Sequence, residues 1–159
     1  MAGNVDVRWP TEQDVRDLVA GMREADRAEL EASIGRGVDQ VGMLLDVIAR
    51  SSHAWAILIN GRLGIIGGLF PMGTLVGGEE AQPWMMATTA MERMPGALMK
   101  VALRYLSVMR GCYPRLSNHV DARNEKSIRW LRRIGFTVHT ETVPFGPYGM
   151  PFHPFEMNS

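Results

Sequence analysis

Residues Asn124–Phe136 read NEKSIRWLRRIGF, and this stretch carries the start, the buried face and the end of one helix. Asn124 is a side-chain acceptor suited to the free N–H groups of a helix start. Ile128, Leu131 and Ile134 recur at helical spacing, while Arg129, Arg132 and Arg133 fall on the opposite side. Gly135 then supplies the left-handed residue that commonly closes a helix. A β-leaning run, Phe136–Thr140, follows directly.

Working outward, Leu116–Val120 reads as a strand that enters this helix, and Pro114 ends the connection before it. Upstream, Pro95-Gly96 opens a long amphipathic helix whose stripe is Leu98, Val101, Ala102, Tyr105 and Met109, with Lys100 and Arg104 turned away. Trp84–Thr88 reads as a short central strand after a long glycine-bearing loop, Pro71–Pro83. Downstream, a stiff segment from Val143 leads to a last strand at Phe152–Met157.

The front of the chain completes the pattern. Asn4–Arg8 alternates as a strand, and Thr11 with Asp14 resembles a capping box ahead of Val15, Leu18, Val19 and Met22. Arg23–Ile34 favours helix until Gly35-Arg36-Gly37 breaks it, and Val41, Leu44, Leu45 and Ile48 mark a further helix. His53–Ile59 and Leu63–Phe70 flank Asn60-Gly61, the strongest short signal for a hairpin. Gly64, Gly67 and Gly68 in the second of these strands point to a bulge or a close backbone approach. The order β, α, α, β, β, β, α, β, α, β, β predicts an α/β (α+β) fold: a mixed central sheet of six to seven strands with about four helices on its faces.

Composition excludes several classes of function. The 159 residues suffice for one domain, expected over 1–159, with a core that needs neither disulfides nor metals. Seventeen basic residues balance seventeen acidic ones, so no net field draws the chain to nucleic acid or to an anionic membrane, and no nucleic-acid motif is present. Cys112 is the single cysteine, which leaves no internal disulfide and no zinc site of the usual kind. MAGNVDVRWP lacks a signal-peptide core and no apolar run is long enough to span a bilayer, so a cytoplasmic location is expected.

The element order, together with Asn124, Ser127, Ile128, Ile134, Gly135 and Phe136, resembles the GNAT superfamily of N-acetyltransferases, where the matching helix often reads Asn-x-x-Ala, then aliphatics, then Gly-Phe. VRWPTEQD also looks like that family's first strand and helix. Narrower still, the pattern is similar to small phage-encoded GNAT-like proteins, an internal virion protein type among them. That likeness implies a phage source, the host cytoplasm or the virion as location, and a host or virion protein as partner.

The resemblance implies an acyl-CoA partner, acetyl-CoA by family habit, and an amine acceptor. In the family the fourth strand pairs with the pantetheine arm, which here implicates Met85 and Met86. A loop at the next helix start presents N–H groups to the pyrophosphate. Arg93, Gly96 and Ala97 stand at matching places, with Lys100 as a supporting cation, but Leu98 replaces a small residue and Pro95 lacks a donor. From the residues alone Pro95-Gly96 is equally an ordinary helix-start turn. Asn124 and Ser127 belong to the cofactor-side helix.

Acyl transfer needs a group to take the amine's proton and another to protonate the leaving thiol. The family's tyrosine position, seven after Asn124, is Leu131. The expected strand Trp84–Thr88 carries no carboxylate, although Glu79, Glu80 and Glu92 flank it. The candidates for proton transfer are His119, Glu92 and Tyr148, with Tyr105 and Cys112 as further acids; each also has an ordinary reading as a core or surface residue. The resemblance therefore supports two functions. One is an N-acyltransferase with substituted proton carriers; the other is a GNAT-fold protein that has lost catalysis and acts by binding a protein.

Overall fold

A computed structural model describes residues 4–72, 79–93 and 95–158, leaving aside the side chains of residues 93, 95 and 97–99. Residues 73–78, part of the glycine-bearing loop read above, and residue 94 lie outside the described residues.

The chain opens with β1 (Val5–Arg8), followed by α1 (Glu12–Gly21), α2 (Glu24–Ile34) and α3 (Gln40–Arg50). Thr11 caps α1 as expected: its hydroxyl accepts from the Asp14 N–H at 3.1 Å, and the Asp14 carboxylate accepts from the Thr11 N–H at 2.9 Å. Met22 separates α1 from α2 because it is extended (ψ 140) and forms a β-bridge with Thr88. Three helices thus precede the second strand.

β2 (His53–Ile59) and β3 (Arg62–Pro71) form the expected hairpin. Asn60 and Gly61 take φ of 51° and 78°, the left-handed pair that a tight hairpin turn requires. Ile57 faces Ile65 while Leu58 faces Leu63, so Gly64 is the extra residue of a bulge. At Gly68 a Cβ would lie 2.5 Å from the His53 carbonyl and 2.9 Å from the Trp84 ring, which is the close approach its glycines implied.

β4 (Glu80–Ala87) begins four residues earlier than the sequence suggested, so the loop before it is shorter and the strand does carry a carboxylate, Glu80. Pairing with β3 from Ile65–Ala87 to Pro71–Ala81 draws these residues into the sheet despite Pro83. A 3-10 turn (Thr89–Arg93) leads to α4 (Pro95–Cys112), then β5 (Arg115–Asp121) and α5 (Glu125–Ile134). Gly135 (φ 112°) closes α5, with Phe136 N–H donating to Leu131 C=O at 3.0 Å.

β6 (Thr137–Val138), β7 (Val143–Phe145) and β8 (Met150–Asn158) complete the chain. The sheet runs β1-β2-β3-β4-β5-β8-β6, with β7 also on β8. Among the described residues the sheet has eight strands where six to seven were expected, and five α-helices stand where about four were expected; the additions are β7 and the separation of α2 from α1. All pairs are antiparallel except β4–β5.

Two apolar layers hold the sheet between them. Val15, Leu18, Leu30, Leu44 and Ile48 from α1–α3 pack on Ala56 and Ile66. On the other face Leu106 of α4 and Ile128 and Leu131 of α5 pack with Leu116, Val120 and Phe155. No helix among the described residues is long and apolar enough to cross a membrane.

Candidate functional site

The parallel pair β4–β5 is joined only at its beginning, where Glu80 faces Arg115 and Ala81 faces Leu116. Beyond that, Asn118 Nδ2 donates to the Pro83 carbonyl at 2.9 Å, and the strands part. The alternation of an antiparallel ladder then decides which groups of β4 are left over. Met72 N–H donates to Glu80 C=O and Thr88 N–H to Gly64 C=O, so the even-numbered residues of β4 bond to β3. Ala81, Pro83, Met85 and Ala87 consequently turn their main chain toward β5. Of these, Met85 has no partner for its N–H or C=O among the described residues.

Between the parted strands lies a cavity of about 410 Å³, lined from β4 by Trp84, Met85 and Met86 and from β5 by Asn118, His119 and Val120. Its size and its apolar walls with few polar groups suit a small-molecule site. A second cavity of about 360 Å³ shares Met85, Ser127 and Trp130 with the first and is rimmed by Lys126, Arg129 and Arg133. Lys126 pairs at 3.8 Å with exposed Glu92, a surface contact worth little. Arg129 and Arg133 form no ion pair among the described residues.

Helix α2 lies across the far end of the cleft and holds both strands. Asp26 Oδ2 accepts from the Ala87 N–H at 2.9 Å, and the Arg23 N–H donates to the Ala87 carbonyl at 3.0 Å. One turn on, Glu29 Oε1 accepts from the Asp121 N–H at 2.6 Å. Asn124 Nδ2 donates to Asp26 at 3.3 Å and its Oδ1 accepts from the Ser127 N–H at 3.4 Å, tying α5 to the same point.

Three carboxylates meet here, and their partners differ. Asp26 is paired with Arg23 at 2.9 Å in a nearly closed setting. Asp121 is buried, which opposes its ionisation, but the side-chain and main-chain hydrogen bonds of Arg123 outweigh that and hold its carboxyl below the usual range. Glu29 has no ion pair among the described residues. Burial pushes its carboxyl up to about 7; the Asp121 N–H and, more weakly, the Asn124 side chain work against this, and the negative charges of Asp26 and Asp121 add to it.

His119 stands on the same face of β5 as Asp121. Its ring stacks on Phe145 at 4.6 Å, and Nδ1 is buried without a hydrogen-bond partner among the described residues. Burial lowers its pKa, so the imidazole is neutral at pH 7 and a ring nitrogen remains free to accept.

Of the residues singled out from sequence, the structure brings His119, Met85, Met86 and Ser127 to the first cavity, and Glu92 to the second. Asn124 lines neither; it is buried and engaged as a cap. Tyr148 is exposed on the β7–β8 turn, where its hydroxyl accepts from the Arg36 N–H at 2.9 Å, away from the cavity lining. Gly96 lies exposed in the first turn of α4 with open space beside it, and Lys100 is exposed further along. Arg93 and Ala97 sit in the same turn region, with side chains outside the described part. Tyr105 lines the cavity and packs on Trp55 at 4.7 Å. Glu80, though on β4, is at the joined end, bonded to Ser117 and Arg115.

Glu29 escaped sequence reasoning because Arg23–Ile34 reads as a helix of Ala, Glu and Arg with ordinary surface charges. One signal was present. Met22, Asp26 and Leu30 share a stripe at i, i+4 and i+8, so a carboxylate lay on the buried face and Glu29 stood one turn from it.

No family model matches the chain, and no curated protein is similar to it in sequence. Solved structures do match in fold. The ribosomal-protein-alanine N-acetyltransferase from Brucella melitensis superposes with TM-score 0.73 at 17% identity, covering 97% of this chain and 99% of that one. The acetyltransferase of GNAT family from Streptococcus pneumoniae gives 0.65 at 15% identity, covering 98% and 99%. The protein yncA of Salmonella typhimurium, solved with its cofactor acetyl-CoA, gives 0.67 at 17% identity, covering 97% and 93%. The chain therefore has the GNAT fold.

Proposed function

We propose that the protein is an acyl-CoA-dependent N-acyltransferase of one domain acting in the cytoplasm, with acetyl-CoA as donor and an amine of a small molecule or protein as acceptor. The observation that carries this reading is the parting of β4 from β5 beside a cavity, with the Met85 N–H and C=O left facing the gap. Acyl-CoA bound there supplies an acyl group activated as a thioester.

The chain's own groups suit that ligand along its length. The Met85 N–H and C=O offer strand-like pairing to the pantetheine amides, whereas Ala87 is already held by α2. Ser127, Lys126, Arg129 and Arg133 rim the second cavity as an anion-attracting wall. The start of α4 at Pro95 and Gly96, with Arg93, Ala97 and Lys100 around it, adds free N–H groups and a helix dipole for phosphates. Asn124 acts through the α5 start it caps. Among the proton carriers expected from sequence, His119 and Tyr105 line the cleft, while Glu92 and Tyr148 stand outside it.

Isothermal titration with acetyl-CoA tests the reading. Binding is expected, and it should weaken about tenfold in the R129A/R133A double variant as two charge-assisted contacts are lost. No binding at millimolar acetyl-CoA overturns it.

Leu131 favours a second reading. It is buried in the α4–α5 core at the position where the family keeps its tyrosine, so that position offers no proton donor. A phage-encoded GNAT-fold protein that binds a host or virion protein would need none. Acetyl-CoA binding without CoA release over a broad amine panel, together with one specific partner recovered from host lysate, supports this second reading; turnover of any amine removes it.

A further inference from the structure

Resting on the acyl-transfer reading above, we propose that the acceptor is a primary amine carrying a compact apolar group, that it lodges on the α2–α3 side of the cleft, and that Glu29 takes its proton. The shape of the wall states the chemistry. On this side the cavity is bounded by Leu30, Ile34, Met43, Leu44, Val47 and Trp84, a mainly apolar surface in which the Ser33 hydroxyl is taken up by the Glu29 carbonyl. The remaining polar side chains of the lining are Asp26 and Glu29 on α2, Gln82 on β4, Asn118 and His119 on β5, and Ser127 on α5.

Those groups are arranged for an ammonium. Glu29 is fixed by the Asp121 N–H through one carboxylate oxygen and enters the cavity lining. His119 lies two residues earlier on the same face of β5 and lines the same cavity. An ammonium lodged beside Glu29 donates an N–H to its carboxylate. A polycation would find no second free carboxylate, because Asp26 and Asp121 are already paired with Arg23 and Arg123.

The proton inventory closes. Glu29 as carboxylate takes one proton from R–NH3+, leaving R–NH2 with its lone pair free. The nitrogen then forms the C–N bond to the thioester carbonyl carbon as the C–S bond breaks, and its second proton leaves with the thiol. Glu29 returns its proton to solvent. The charged and titratable groups facing Glu29 are Asp26 on its own helix with Arg23 behind it, Asp121 and His119 on β5, and Arg123 in the turn, where Glu29 reinforces the guanidinium's charge. Its carboxyl, pushed up to about 7, is ionised to a useful fraction at neutral pH while remaining a competent base.

Titration of the full chain with 2-phenylethylamine, without CoA, reads the site independently of turnover. Binding is expected to tighten about tenfold between pH 6 and pH 8, to lose that pH dependence in E29Q, and to be undetectable for ethanolamine and putrescine in the same range. With acetyl-CoA present, kcat/KM for 2-phenylethylamine should rise through pH 7 in the wild-type chain. In E29Q it should fall at least 100-fold, with no limb near pH 7. D46N, an exposed carboxylate variant on α3, serves as the unaffected control, and Gln at position 29 keeps the oxygen that the Asp121 N–H needs. Equal use of polar and apolar amines, or an unchanged pH profile in E29Q, overturns the proposal while leaving the acyl-transfer reading intact. Glu29-dependent amine binding in a chain that does not bind acetyl-CoA overturns that reading instead.

Discussion

The two ends of the β4–β5 pair are held by different chemistry. At the joined end, main-chain pairing at Glu80–Arg115 and Ala81–Leu116 is backed by exposed ion pairs from Arg115 to Glu80 and Glu156. At the parted end no strand pairing remains, and side chains of α2 take its place: Asp26 on Ala87 and Glu29 on Asp121. Main-chain ladders keep strands about 4.8 Å apart, so only side chains can satisfy two strand ends while leaving room between them. That solution places ionisable groups in a buried setting, which makes the open end both the more fragile and the more reactive of the two.

Removing Asp26 should break this comparison most severely. In D26A the Arg23 guanidinium, the Ala87 N–H and the Asn124 amide all lose their shared acceptor. Loss of about 3–5 kcal/mol is expected in urea unfolding, since one partner of a nearly buried ion pair is left behind. The next largest effect is pH-dependent and has the opposite sign. Glu29 has a folded pKa raised from 4.5 to about 7, so the fold binds the proton more tightly than the unfolded chain. The stabilisation is complete below pH 4.5 and is lost as pH rises through 7. E29Q, which removes the charge, should therefore be more stable than the wild type by about 2 kcal/mol at pH 8, allowing for partial screening, and no different at pH 4. Thermal melts at the two pH values check this.

Smaller changes sharpen the contrast. N124A loses the cap on Ser127 and the tie to Asp26, and should cost about 1–2 kcal/mol. R115A, at the joined end, removes two ion pairs of a half-exposed arginine. Its cost should stay below about 1 kcal/mol and vanish in 1 M salt. An R115A effect as large as that of D26A would mean that the two ends are not held differently after all.

Those features whose cause is local could be read in advance. The Thr11–Asp14 box, the Asn60-Gly61 turn, the Asn124 cap and the Gly135 stop each depend on a few neighbouring residues. Even the crowding at Gly68 was announced by a glycine where propensity disfavours one. The start of β4 was misplaced because Glu80-Ala81-Gln82-Pro83 lacks strand character, and only pairing with β3 makes it a strand. His119 was legible as a candidate because it ends a strand beside the expected cleft. Glu29 was not, because its environment is assembled from β5 and α5, 92 positions and more along the chain.

By itself the sequence determined most of the helices, the Thr11 and Asn124 caps, the hairpin and the helix Asn124–Phe136 on which the fold assignment rests, since each follows from periodicity and from backbone groups that neighbours satisfy. Tertiary structure alone decided that β8 enters between β5 and β6 and that α2 closes the far end of the cleft. It alone also leaves Glu29 without an ion pair among the described residues while Asp26 and Asp121 have theirs. The reason is the same in each case: which groups share a dry space, and with what charge, is a property of surfaces brought together from distant parts of the chain.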